Sequence, residues 1–334
     1  MKPARGALTG LLLTCLCLQA GATGADFRYF LTGDPADVSP PTRGLIVLQG
    51  GGTDVDANYV EMGRAAGGGD FVVLRAAGGA GYNDYVYSLC ACDSVETLVI
   101  PSREAAAEPF VLRKILGAEA LFIAGGDQSR YVRYWKGTPV EDAIHRVAAK
   151  PAPVGGTSAG MAILGEFVYA ALSDASLQSA DALADPWHAD LTLERDFLVL
   201  EPLRGIITDQ HWVERDRMGR TLAMLGRIVA DGWAPRARAI AADRETSLHI
   251  DPASGIATVH ATADHASPWI YLLETDGGPR TLAPGRPLEL ARIDVLRLGP
   301  GDTVDLRGWQ SSDGLRYTLS VSDGRIASSR DARY

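Results

Sequence analysis

The sequence predicts an α/β fold: a mostly parallel sheet sandwiched by helices, followed by a β-rich C-terminal segment. Short apolar runs recur from residue 44 onward, and each ends in glycine, proline or a polar turn. Helix-compatible stretches separate them at 54–66, 109–117, 138–149 and 214–231. After about residue 245 the helical periodicity fades. Runs that are apolar at consecutive positions belong to strands buried on both faces, as in parallel sheets, and their alternation with helices is the α/β pattern.

In chain order the strand candidates are Leu45–Leu48 running into Gly50-Gly51-Gly52, Phe71–Leu74 into Gly78-Gly79, and Thr97–Ile100 into Pro101. Next come Ala120–Ile123 into Gly125-Gly126-Asp127-Gln128, Pro153-Val154 into a serine motif, Ile206–Thr208 into Asp209-Gln210-His211, and Arg238–Ala241. Beyond these, Thr246–Ile250, Ile256–Ala261, Trp269–Leu273 and Tyr317–Val321 alternate with Asp-Gly, Gly-Gly and Pro-Gly turns. That divides the chain into an α/β domain at 26–245 and a β-rich segment at 246–334 that completes or flanks the core. Open α/β sheets bind ligands at the carboxyl ends of their strands, where these glycine-rich turns fall.

Residues 1–25 read as an export signal. Lys2 and Arg5 open it, Leu8–Leu18 supply a short apolar stretch, and small residues from Ala20 to Ala25 suit cleavage. The apolar stretch is short for a bilayer span, so no stable membrane anchor is expected and the mature chain is periplasmic or secreted. Export removes Lys2 and Arg5 and takes the net charge from −9 to −11. An acidic chain of this kind is not expected to bind nucleic acid, which calls for a basic face. Two of the four cysteines, Cys90 and Cys92, remain after cleavage. A Cys-x-Cys bridge closes a strained ring, so two small buried side chains are expected there rather than a disulfide. No metal or cofactor is expected: His-Glu-x-x-His is absent, and Gly50-Gly51-Gly52 lacks the Gly-x-Gly-x-x-Gly spacing of dinucleotide sites.

The chemistry centres on Gly156-Thr157-Ser158-Ala159-Gly160, between a strand and a helix-compatible run. Glycines at this spacing permit the sharp turn that lifts a serine nucleophile to a helix N-terminus. Ala159 is then the first oxyanion donor, and Gly126, in the neighbouring strand's turn, the second. Of six histidines, His211 follows an apolar strand and stands at the same carboxyl edge, which makes it the candidate base. Arg215, Arg217 and Arg220 follow, with Glu214 and Asp216 among them. Arginine grips carboxylates bidentately, so this cluster reads equally as an acidic-substrate site and as a solvated helix face.

Taken together, Gly125-Gly-Asp-Gln128, Gly155-Gly-Thr-Ser-Ala-Gly160, Thr208-Asp-Gln-His-Trp212 with the three arginines, and Ala241-Ala-Asp-Arg-Glu-Thr246 resemble the cyanophycinase and peptidase E (aspartyl dipeptidase) family of serine peptidases. The resemblance is closer to cyanophycinase and covers roughly residues 44–250. It implies a class I glutamine-amidotransferase-like (flavodoxin-like) fold, an acyl-enzyme on Ser158 and a homodimer. It also implies a substrate pocket containing Gln128, Asp209, Gln210, Arg215, Arg217 and Arg220. The implied substrate is an aspartate-containing peptide, with cyanophycin releasing β-Asp-Arg. For the third member of the triad, Glu245 matches the family's acid, and Asp174 and Asp209 are the alternatives. Two positions depart from the family pattern: Met161 where many relatives have alanine, and Glu214 where cyanophycinases often carry glutamine.

Overall fold

The structure, a computed structural model, describes residues 25–334 except 174, 264, 266, 267 and 278–281. Nearly all of the expected export segment, with Cys15 and Cys17, and the candidate acid Asp174 therefore lie outside the described residues. Among the described residues no helix is long and apolar enough to cross a membrane.

Among the described residues two mixed sheets form the body. The first has nine strands in the order β1 (Arg28–Gly33), β4 (Ser94–Val99), β3 (Asp70–Arg75), β5 (Ala120–Ile123), β6 (Pro153–Thr157), β2 (Leu45–Gln49), β11 (Thr246–Ile250), β12 (Ile256–Ala261) and β15 (Thr303–Asp305). Its central run from β4 to β2 is parallel, and the flanking strands pair antiparallel. The second has eight, in the order β17 (Arg325–Ser328), β16 (Leu315–Ser322), β14 (Leu290–Leu298), β13 (Ile270–Thr275), β10 (Arg238–Ala242), β9 (Ile206–Asp209), β7 (Phe167–Tyr169) and β8 (Leu193–Arg195). There the neighbouring pairs β7–β9 and β9–β10 are parallel. The helices are α1 (Asp56–Ala65), α2 (Asn83–Cys90), α3 (Pro109–Gly117), α4 (Gln128–Trp135), α5 (Pro139–Ala149), α6 (Ala159–Ala162), α7 (Ser179–Ala184) and α8 (Met218–Ala230).

Side-chain alternation sorts the central strands into two cores, because successive strand residues point to opposite faces. Val47, Phe71, Val73 and Phe122 pack with Tyr59 and Met62 of α1 and Val86 of α2. Leu48, Val72, Leu74, Leu121 and Ile123 pack on the other face with Val111 and Ile115 of α3 and Val140, Ile144 and Val147 of α5. That core continues to Ile206, Ile240, Leu272 and Leu296 of the second sheet. The far face of the second sheet, with Ile207, Ala239 and Leu273, is covered by Leu222, Leu225 and Ile228 of α8. Parallel strands flanked by helices are as the sequence predicts.

The segment after residue 245 completes both sheets rather than forming a layer of its own. β11 pairs with β2, and β13 pairs with β10.

One expectation is corrected. Cys90 and Cys92 are disulfide-bonded. Ala91 at the end of α2 takes a left-handed conformation, φ 50 and ψ 39, which turns the chain back on itself. The two Cα atoms thereby come to 5.2 Å, within the span a disulfide bridges.

Candidate active site

The site lies where the carboxyl ends of β2 and β6 meet those of β9 and β10. β6 ends at Thr157, and Ser158 follows at φ 50 and ψ −116 before α6 begins at Ala159. A non-glycine residue held there is a strained turn of the kind that displays a nucleophile. Gly160 makes the turn possible: a Cβ on it would lie 2.0 Å from the Ile123 carbonyl oxygen. The Ser158 N–H donates to the Gln49 carbonyl at 3.0 Å, which fixes the turn to the end of β2.

His211 comes from the other sheet, just past β9. Its Nε2 stands 3.1 Å from Ser158 Oγ. Its Nδ1 stands 2.7 Å from Glu214 Oε2. An ionised carboxylate only accepts, so Nδ1 carries the proton and the Nε2 lone pair faces the serine hydroxyl. Burial has the largest influence on the ring and leaves its pKa below the usual histidine value. The hydrogen bond that Nδ1 donates to Glu214 opposes that shift, and the charges of Arg215 and Arg217 add to it. Partial burial would raise the Glu214 carboxyl, but its bond to His211 and the charges of Arg215 and Arg244 hold it below the ordinary range. A neutral imidazole and an ionised glutamate are the states a general base and its orienting partner need.

Glu245 does not touch the histidine. Its carboxylate accepts from Thr53 Oγ1 at 3.1 Å and lies 3.4 Å from Arg244 Nη2 and 3.8 Å from His265 Nδ1. The main chain explains the displacement. The Glu245 N–H donates to the Gly51 carbonyl at 2.6 Å, and the residue sits at φ 56. Its side chain is thereby set over the loop after β2, away from the ring. The structure thus puts Glu214, three residues beyond the base in the turn before α8, where the sequence had placed Glu245.

Ala159 opens α6, so its N–H is among those that a helix's first turn leaves without an internal partner. The Gly125-Gly126 turn lies alongside, since a Cβ on Gly125 would stand 3.4 Å from Ser158 Cβ. Tyr131 OH, bonded to the Ala124 carbonyl at 2.7 Å, holds that turn. Gln128, half-exposed, begins α4 just beyond it.

The polar cluster at 209–220 divides in two, and this corrects the expected pocket. Asp209 and Arg220 are each 1% exposed and form a bidentate pair, with Arg220 Nε to Asp209 Oδ2 at 3.0 Å. Thr221 Oγ1 donates to the same carboxylate at 2.7 Å, and the Arg220 guanidinium lies 4.7 Å from the Tyr169 ring centre. Burial alone would raise the Asp209 carboxyl, but the charges of Arg220 and Arg217 and these hydrogen bonds hold it low. Arg217, also buried, donates to the Gln210 carbonyl at 2.8 Å and to its side-chain oxygen. These four residues face each other beneath the site. Only Arg215 of the three arginines is exposed, beside the exposed Glu214.

Sequence reading also missed the role of Gly50-Gly51-Gly52. The His211 N–H donates to the Gly50 carbonyl at 2.8 Å. A Cβ on Gly51 would stand 2.2 Å from His211 Nε2, so only glycine lets the main chain pass over the ring. The signal was present as three glycines at the carboxyl end of a strand, where the sheet places ligands, but nothing in the sequence tied them to the histidine. A cavity of 720 Å³ lined by Arg43, His145, Pro151 and Pro252 lies at the opposite, amino ends of β2 and β6, and holds none of these groups.

Comparison with known proteins adds to this geometry. Residues 82–184 match peptidase family S51. The chain is similar to the cyanophycinases of Trichormus variabilis and Nostoc sp., 27% identical over 139 residues in each case. That match covers 41% of this chain and 43% of each relative, so it spans less than half the length of those proteins. The crystal structure of a peptidase from an acI-B1 actinobacterium superposes with a TM-score of 0.51 at 15% identity, over 79% of this chain and 98% of that one, which shows the fold. The family match contains Gly126 and Ser158 but ends before His211 and Glu214. The base and its partner lie beyond that match, and their pairing rests on the hydrogen-bond geometry.

Proposed function

We propose that this chain is a serine peptidase of the cyanophycinase and peptidase E kind, acting through an acyl-enzyme on Ser158. The observation that carries the reading is the continuous line Glu214–His211–Ser158, at 2.7 and 3.1 Å, ending on a strained elbow. His211 Nε2 takes the hydroxyl proton as Ser158 Oγ attacks the scissile carbonyl. Glu214 steadies the imidazolium that results, and the Ala159 N–H, with the turn at Gly126, receives the developing oxyanion. Collapse of the tetrahedral intermediate breaks the C–N bond, and the proton on Nε2 goes to the leaving amine. Water, activated by the same nitrogen, then releases the acid and restores the serine.

The substrate in this reading is an aspartate-containing peptide, with cyanophycin cleaved to β-Asp-Arg as the specific case. Similarity to cyanophycinases supports it, and so does the exposed Arg215 at the mouth of the site. Export, from the leader-like residues 1–25, and a homodimer complete the proposal.

The test is hydrolysis of purified cyanophycin and of short α- and β-linked aspartyl peptides by wild type and Ser158→Ala, with products read by mass spectrometry. Release of β-Asp-Arg that disappears in the variant is expected. Folded wild-type protein that turns over none of these peptides would refute the substrate assignment.

A further inference from the structure

One dipeptide holds both reacting groups. The Gln49 carbonyl accepts the Ser158 N–H at 3.0 Å, and the next carbonyl, that of Gly50, accepts the His211 N–H at 2.8 Å. The spacing between a serine of one sheet and a histidine of the other is thus referred to the end of β2 and the turn that follows it. Main-chain bonds tie that turn to the start of β11, from the Gly50 N–H to the Thr246 carbonyl at 2.9 Å and from the Glu245 N–H to the Gly51 carbonyl at 2.6 Å, and a buried polar chain that does not contact the reacting atoms adds to them.

Gln49 is fully buried and uses its whole amide. Its Nε2 donates to the Thr53 carbonyl at 3.3 Å and to Asp54 Oδ1 at 3.1 Å. Its Oε1 accepts from the Val55 N–H at 3.5 Å and from Asn58 Nδ2. Because a backbone N–H can only donate, the Val55 contact fixes which end of the Gln49 amide is oxygen. That fixes Asn58 in turn: its Nδ2 points to Gln49 and its Oδ1 points away, accepting Ser247 Oγ and His249 Nε2, both at 2.7 Å. His249 Nε2 therefore carries its proton. Burial pushes the His249 pKa down to about 3, with the neighbouring His260 adding to the effect, so the ring is neutral. Ser247 and His249 are two apart on β11, hence on one face, and both reach across to α1.

We infer that Gln49, Asn58 and His249 are positioning residues, a chain of side chains from β11 through α1 to β2 that sets the Ser158–His211 geometry for the proposed reaction. Buried amides with every donor and acceptor engaged rigidify what they touch, whereas one left unpaired costs free energy and frees its neighbours to shift. The inference gives β11 a task at the site: it clamps the turn that carries both reacting groups. It rests on Ser158 being the nucleophile and is independent of which peptide is cleaved.

The test reads the rate at which a fluorophosphonate probe labels Ser158, beside kcat, KM and Tm. Gln49→Met keeps the volume and removes the amide; it should slow labelling and kcat about 10- to 100-fold, the effect of a displacement near 1 Å, while KM stays close to wild type. His249 offers a remote pair: His249→Phe should slow labelling several-fold, and His249→Gln, which keeps a donor for Asn58, should restore it. If Gln49→Met does not fold, the His249 pair alone decides. Wild-type labelling by folded Gln49→Met, or equal rates for the two His249 variants, overturns the inference and leaves the proposed function intact. Wild-type protein whose Ser158 never labels overturns both. Normal labelling without turnover of aspartyl peptides removes only the substrate assignment.

Discussion

Ser158 and His211 sit at the ends of strands from two sheets, and the two ends are built differently. Around Ser158 the backbone does the shaping: a turn at φ 50 follows β6, and Gly160 meets the Ile123 carbonyl too closely for any side chain. Around His211 the backbone is strained too, at φ 48 with Gly51 against the ring, but there side chains decide which polar groups reach the site. Asp209, Gln210, Arg217 and Arg220 turn inward and satisfy one another, while Glu214 and Arg215 lie exposed on the outer side, with the buried His211 between Glu214 and Ser158. A backbone-built element tolerates almost no change at its glycines. A side-chain-built one spreads its polar residues over two tasks, support and chemistry, that look alike in composition.

Substitutions on the outer and inner sides should therefore fail in different ways. Glu214→Gln removes the charge that orients the imidazole; kcat should fall by up to about 10⁴-fold with the fold intact, as measured by peptide hydrolysis and circular dichroism. Asp209→Ala leaves the Arg220 guanidinium buried without its partner and should cost about 3–5 kcal/mol of stability, seen in urea unfolding. Its sign with pH also follows. The folded carboxyl is held below its unfolded value, so the stabilisation is present above the unfolded pKa and lost as pH falls through the folded one. The wild type should thus lose stability in acid more steeply than the variant.

On the backbone side, Gly51→Ala should displace the His211 ring and lower kcat by about 10²-fold, the penalty of a shift near 1 Å. The smallest effect is expected at Arg215. Arg215→Ala should raise KM for an acidic peptide a few-fold, about 1 kcal/mol for an exposed charge, and leave unfolding unchanged. If Asp209→Ala instead behaved like Arg215→Ala, stable but with a raised KM, the inward and outward division would fail.

Much of this was legible in the sequence, for identifiable reasons. Leu45–Leu48, Phe71–Leu74 and Ala120–Ile123 are buried on both faces, and their apolar character alone marks them as central strands. The elbow showed because glycine spacing reports backbone geometry directly. The division of the second sheet's polar segment did not show, because charge in a sequence does not reveal whether a residue faces a partner or solvent. Glu245 misled for a related reason: its place after the next strand is right, but a left-handed turn at the residue itself sends the carboxylate to Thr53. Of the two positions that depart from the cyanophycinase pattern, Met161 and Glu214, the second is the one that meets the histidine.

The most direct test of the Glu214–His211–Ser158 assignment is fluorophosphonate labelling mapped by mass spectrometry in wild type, Glu214→Gln and Glu245→Gln. The adduct should fall on Ser158, form far more slowly in Glu214→Gln, and form at close to the wild-type rate in Glu245→Gln. An adduct elsewhere, or a Glu245→Gln variant slower than Glu214→Gln, would contradict the assignment.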